Sequence, residues 1–182
     1  MGVRDWFVRR RSPAEEAGRR LYAAAVAQAR SPAFYTDLHV PDTPEGRFEL
    51  YALHVALLLR RLRAEGAGTA AVSQSLFDGF VRGLDDALRN MGVGDVGVAK
   101  RMKKLGQSLY GRLEGYEAAF AALPEERPLE ELIGRTIYAE GAGQPPVMAA
   151  YAVSVEQGLA NQPLDRLASG AVQWPAAGQD GI

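Results

Sequence analysis

A chain of 182 residues with 47% hydrophobic and 24% charged side chains is long enough to close one core and too apolar to be natively disordered. It has no cysteine, which excludes disulfides, thiolate metal sites and cysteine nucleophiles and fits a reducing compartment. The net charge of −1 hides an asymmetry: residues 1–113 carry 18 basic and 12 acidic side chains, residues 114–182 only 3 basic and 10 acidic. Such a dipole either orients the molecule toward an anionic surface or draws its own ends together.

Taken from the amino end, residues 1–11 set Trp6-Phe7-Val8 before Arg9-Arg10-Arg11. Aromatic and basic groups side by side suit a membrane interface, or they pack on the domain. No secretory apolar core is present, and Trp6 stands where an N-myristoylation signal needs Ser or Thr, so a cytoplasmic location, peripheral on the inner membrane at most, is expected. Ser12, Pro13 and Glu15 open a first helix with a capping box and a proline at the first turn. Ser31-Pro32 ends it or starts a short turn. Thr43 and Pro44 start a second helix, with Phe48, Tyr51, Val55, Leu58 and Leu62 on one stripe. Leu50, Leu53 and Leu57 widen that stripe until the helix reads as central, and Gly66 and Gly68 stop it.

A third helix is expected from about Ser73, burying Phe77, Phe80, Leu84, Leu88 and Met91. Gly92 and Gly94 form the joint as backbone requirements, and Asp95 can cap the fourth helix. That helix carries Val98, Met102, Leu105, Leu109, Tyr116 and Phe120 and ends before Pro124. Shorter helices follow over residues 128–140 and 146–160, and the last dozen residues, rich in Gly, Ala and Gln, read as frayed. No apolar run approaches the ~20 residues that span a bilayer. The expectation is therefore all-α: a single-domain bundle of about six helices over residues 12–168, with short extensions at 1–11 and 169–182.

The chemistry-bearing residues are few. His39 and His54 have no ligand partner at helical spacing, so no metal site of the HExxH kind is present and no metal or other cofactor is expected. His54 suits a hydrogen-bonded place at a helix interface better than a haem ligand. Asp78 and Asp85 share a face and can hold a metal or share a proton, but Arg82 and Arg89 stand four residues beyond them and suit salt bridges. GVGD ahead of a helix has the outline of a phosphate loop, but the lysine is missing and Asp95 repels phosphate. The basic run Lys100, Arg101, Lys103 and Lys104, extended by Arg112, can meet protein, RNA or anionic lipid, or stay solvated. No catalytic set is legible, so the chain reads as a binding protein and not an enzyme.

Four ordered blocks, PDTPEGRFELYALHVALLLRRLR, SQSLFDGF, MGVGDVGVAKRMKK and LYGRLEGY, resemble the ubiquinol–cytochrome c chaperone family, whose eukaryotic members are the mitochondrial Cbp3-type assembly factors of the cytochrome bc1 complex. The similarity is strong over residues 35–116 and weak beyond. The resemblance implies an α-helical chaperone that binds newly made cytochrome b and assists assembly of the respiratory complex, without DNA; in mitochondria that work happens near the ribosomal exit and with a small partner protein. An RNA- or ribosome-associated role for residues 100–104 is the alternative. Matching positions that can line a client or partner surface are Asp42, Gly46, Arg47, His54, Gln74, Asp78, Asp85, Arg89, Asp95, Lys100, Lys103, Lys104, Tyr110 and Arg112. Two acidic positions of the family pattern are absent from Gly83-Leu84-Asp85 and Arg89-Asn90-Met91. A client groove is expected on the surplus apolar surface of the second helix, unless other helices cover it.

Overall fold

The computed structural model describes residues 11–90, 92, 94–139, 141 and 143–177; within the fifth helix, the side chains of residues 95, 96, 99–101 and 104 are not described. Eight α-helices and one 3₁₀ turn make up the described residues, with no strand among them: α1 Pro13–Ala29, α2 Ala33–Thr36, α3 Pro44–Ala64, the 3₁₀ turn Ala67–Thr69, α4 Ala70–Asn90, α5 Asp95–Ala121, α6 Arg127–Thr136, α7 Pro145–Ala160 and α8 Leu164–Ala168. The six long helices are those expected from periodicity. The two extra ones are single turns, too short to show a period.

The caps form as their residue types dictate. Ser12 Oγ accepts from Glu15 N (3.1 Å) while Ser12 N donates to Glu15 Oε2 (2.8 Å), closing the capping box of α1. Thr43 Oγ1 accepts from Gly46 N at the start of α3 (3.1 Å). The chain leaves α3 through Gly66 at φ +84, a left-handed conformation that glycine adopts without strain. α4 begins at Ala70, ahead of Ser73, because the 3₁₀ turn feeds directly into two alanines, and Ser73 falls inside the helix. At the α4–α5 joint, Gly92 has φ +75 and needs glycine. Gly94 does not: it is the N-cap of α5 in ordinary extended backbone (φ −66, ψ 158), which also moves Asp95 from the cap to the first helical residue.

α3 is the axis of the molecule. It touches α1, α4, α5 and α7, and its leucines from Leu50 to Leu62 are all buried. Each buried leucine is worth roughly 2 kcal/mol of transfer free energy, which explains why so apolar a helix stays central. Most of the surplus apolar surface of α3 is thus taken up by packing. α1 and α4 pack closely. A Cβ on Gly18 would lie 2.6 Å from Leu76 N, and one on Gly79 would lie 3.2 Å from the Tyr22 ring. Ser75 Oγ donates to Glu15 O (2.9 Å) across the same seam.

Residues 171–177, part of the stretch expected to fray, are tied down. Gln162 Oε1 accepts from Gln173 N (2.8 Å), Gln162 Nε2 donates to Gln173 O (2.9 Å), and Ala177 is buried. Trp174 sets its ring edge-on to His54 with centroids 5.3 Å apart. Composition favours fraying, but one indole and paired glutamine–backbone bonds outweigh it.

Candidate functional site

Because α4 leans on α1, its opposite face and the second half of α5 leave a trough between them. It is a groove of about 940 Å³, with Leu59 of α3 at its base, Phe77, Tyr110 and Leu113 along its length, and small residues, among them Ala67, Ala70, Ala118 and Ala121, on its walls. Phe77 was expected in the core; it is instead half-buried here, its ring 5.5 Å from that of Tyr110. Tyr110 is 59% exposed and is the exposed large hydrophobic among the described residues. Arg63, Gln74, Glu114 and Glu117 form a polar lip. Glu117 is held by Arg60 Nη1 (2.7 Å) and Arg63 Nη1 (3.0 Å), and Arg60 also reaches Glu156 (3.3 Å), so this lip is braced to α3 and α7. An apolar trough with charged edges accepts an amphipathic or apolar helix.

The structure scatters the sequence candidates. Gln74 and Tyr110 lie on the groove. Gln74 Nε2 donates to Asp78 Oδ1 (2.8 Å), so Asp78 is occupied by Gln74 and does not bridge to Arg82 as its spacing suggested. Asp85 and Arg89 form the expected pair (2.7 Å). Asp42, ahead of α3, pairs at 2.7 Å with Arg47 in its first turns, and the guanidinium lies 5.6 Å from the centre of the Tyr35 ring. That hydrogen bond holds the Asp42 carboxyl below, and the Arg47 guanidinium above, their usual ranges. Gly46 is no surface residue: a Cβ there would collide with the Pro41 carbonyl oxygen. Gly83 faces the Tyr22 hydroxyl, and a Cβ would run into it. Lys103 is exposed on α5. Asp95, Lys100, Arg101 and Lys104 share that helix, but their side chains lie outside the described ones, as do Met91, Val93 and Glu140 and the aromatic-basic residues of segment 1–10.

Two candidates turn inward. Arg112 extends the basic run in sequence, but in space it grips Glu49 of α3 with Nε–Oε2 at 2.8 Å and Nη2–Oε1 at 2.9 Å; the Glu49 side chain is 9% exposed and that of Arg112 30%. The bidentate pair raises the Arg112 pKa and staples α5 to α3. His54 is fully buried. Its Nδ1 lies 2.8 Å from Leu50 O, which can only accept, so Nδ1 carries the proton. Nε2 then accepts from the Tyr151 hydroxyl (2.9 Å), which itself accepts from Gln28 Nε2 (3.0 Å). Burial pulls the His54 pKa down to about 4. Both ring nitrogens are in use, so the site is an internal brace and not a metal ligand.

Among the described residues there is no cluster of three metal-binding side chains and no helix long and apolar enough to cross a membrane. Comparison with known proteins decides the family. The family model described as "Ubiquinol-cytochrome C chaperone" matches residues 36–174. The chain belongs to the ubiquinol–cytochrome c chaperone family. Among solved structures it is similar to the Cbp3 homolog from Brucella abortus, at 35% identity over 92% of this chain and 93% of that one, with a TM-score of 0.79. No curated protein matches. The family match extends well past residue 116 and spans α6, α7 and α8. Leu59, Arg63, Phe77, Leu113, Glu114 and Glu117 line the groove without being candidates from sequence. The available signal was Tyr110, which stands off the buried stripe of α5, together with the alanines of its last turn.

Proposed function

We propose that this member of the ubiquinol–cytochrome c chaperone family is a non-enzymatic assembly chaperone of the cytochrome bc1 complex, and that it holds newly made cytochrome b in the groove between α4 and α5. The observation that carries the reading is the groove itself: an exposed tyrosine over an apolar floor, rimmed by braced charges, on a fold shared with the Cbp3 homolog. A client helix laid there buries its apolar face without any covalent chemistry, which fits the absence of a legible catalytic set. The work is placed at the cytoplasmic face of the membrane, where the exposed Lys103 and its basic neighbours in sequence meet anionic lipid or the ribosome.

The test is capture of cytochrome b from cells by tagged protein. Tyr110→Glu puts a charge at the centre of the contact and is expected to cost about 2 kcal/mol, roughly 30-fold in affinity, while leaving thermal stability unchanged because the side chain is exposed. Lys103→Glu with Lys104→Glu is expected to loosen membrane or client association and leave the fold intact. Unchanged cytochrome b capture by Tyr110→Glu would refute the groove. Capture of RNA alone, lost on charge reversal at 103 and 104, would favour the RNA-binding alternative.

A further inference from the structure

The groove is shorter than a membrane-spanning helix. Its α5 wall runs from Tyr110 to Ala121, about 16 Å at ~1.5 Å per residue, and its α4 wall from Ala70 to Phe77, about 10 Å. A bilayer-spanning helix needs ~20 residues, roughly 30 Å. The trough therefore covers about three turns of such a helix and leaves the remainder outside. Its ends differ in bulk. Phe77 and Tyr110 stand at one end, with ring centroids 5.5 Å apart. Toward the other, Ala67 and Ala70 on one wall and Ala118 and Ala121 on α5 leave room for a bulky apolar side chain.

Selectivity lies in the lip. Glu114 and Glu117 stand one helical turn apart on α5, so their carboxylates repel each other. Glu117 is answered by Arg60 (2.7 Å) and Arg63 (3.0 Å). Glu114 is exposed and has no hydrogen-bond or ion-pair partner among the described residues. It lies one turn beyond Tyr110 on the same edge of the groove, so a cation on the flank of a bound helix reaches it while the apolar face stays in the trough. A bound apolar helix also displaces water from around this carboxylate, which makes an unanswered charge more costly and a cationic partner more favourable. Apolar turns beside Lys or Arg are what the cytoplasmic end of a membrane helix presents.

From this match of length, apolarity and charge we infer that the groove recognises the basic cytoplasmic boundary of an apolar client helix: about three turns, with their apolar face in the trough and a Lys or Arg of the client paired with Glu114. Such recognition rests on the reading of the groove as the client site and adds which part of the client is read.

The test is fluorescence anisotropy of the full chain with labelled peptides of about three turns, apolar on one face and carrying either Lys or Glu on the flank. The native chain is expected to bind the Lys peptide about fivefold more tightly than the Glu peptide at low salt, with the gap closing at high salt. Glu114→Lys, an exposed change expected to leave the melting temperature where it is, is expected to reverse the order. Equal affinities for the two peptides, or an order that Glu114→Lys leaves as it was, overturn the inference. A Lys peptide lengthened to about five turns that binds more than tenfold tighter than the short one overturns it too, because turns outside the trough add no contact. Discrimination between the peptides with no cytochrome b captured from cells would refute the client reading and spare the basic-boundary recognition. Capture of cytochrome b that is lost in Tyr110→Glu, with no discrimination between the peptides, would do the reverse.

Discussion

Acidification is expected to loosen this fold through one residue, His54. The ring is neutral and sealed in the native state, with its pKa pulled down to about 4 by burial, whereas in the unfolded chain it returns to about 6.5. Above pH 7 neither state binds the proton and the residue contributes no pH dependence. As pH falls through 6.5 the unfolded state takes up a proton that the native state refuses, so stability is lost with falling pH, and the loss saturates near pH 4. Between pH 7 and pH 5 this amounts to about 2 kcal/mol, and over the whole window to about 3 kcal/mol. The residue is fully buried, so solvent screening removes little of it. The assay is urea unfolding at pH 7 and pH 5 on the native chain and on His54→Gln. The variant starts less stable because the bonds to Leu50 and Tyr151 are altered, but it lacks the titrating ring. Every other titratable group is common to both proteins and cancels in the comparison. The native chain is expected to lose about 2 kcal/mol more than the variant. Equal losses would refute the assignment of a neutral, proton-refusing His54.

Further expectations follow from the packing. Gly46→Ala drives a methyl into the Pro41 carbonyl and is expected to cost about 2 kcal/mol by thermal or urea unfolding. Glu49→Gln leaves the half-buried Arg112 without its counter-charge and is expected to cost about 2–3 kcal/mol; Glu49→Met with Arg112→Met is expected to recover much of it, and failure to recover would show that the pair does more than hold α5 on α3. Gly92→Ala is expected to cost about 1 kcal/mol for its positive φ. Gly94→Ser is expected to be neutral or to gain a few tenths of a kcal/mol as a better N-cap, which separates the two glycines of the joint.

Much of this architecture is readable in the chain because its signals are local. The Ser12 box, the Thr43 cap and the apolar density of α3 each depend on neighbours within one or two turns, and each forms as its residues require. The site is harder to read because it depends on how helices lean. Nothing in the spacing of Gly18 and Gly79 says that α1 will draw α4 aside, yet that lean is what leaves Phe77 half-exposed beside Tyr110. Arg112 misleads for the same reason. It follows the basic run along the chain, and only the approach of α3 shows that Glu49 claims it. His54 was legible as an interface histidine from its leucine neighbours, whereas its partners Tyr151, Gln28 and Trp174 come from distant parts of the chain. The order of residues 171–177 is hard to read because a single tryptophan holding a glycine- and alanine-rich stretch leaves no periodic trace.

We propose that the α4–α5 groove receives newly made cytochrome b. It is tested most directly by placing a photo-crosslinking amino acid at position 110 in living cells, illuminating during synthesis of the respiratory chain, and identifying the captured protein. A cytochrome b adduct is expected from position 110, and none from a probe at exposed position 154 on α7. Capture of cytochrome b from position 154 with none from position 110, or no cytochrome b from either, would contradict it.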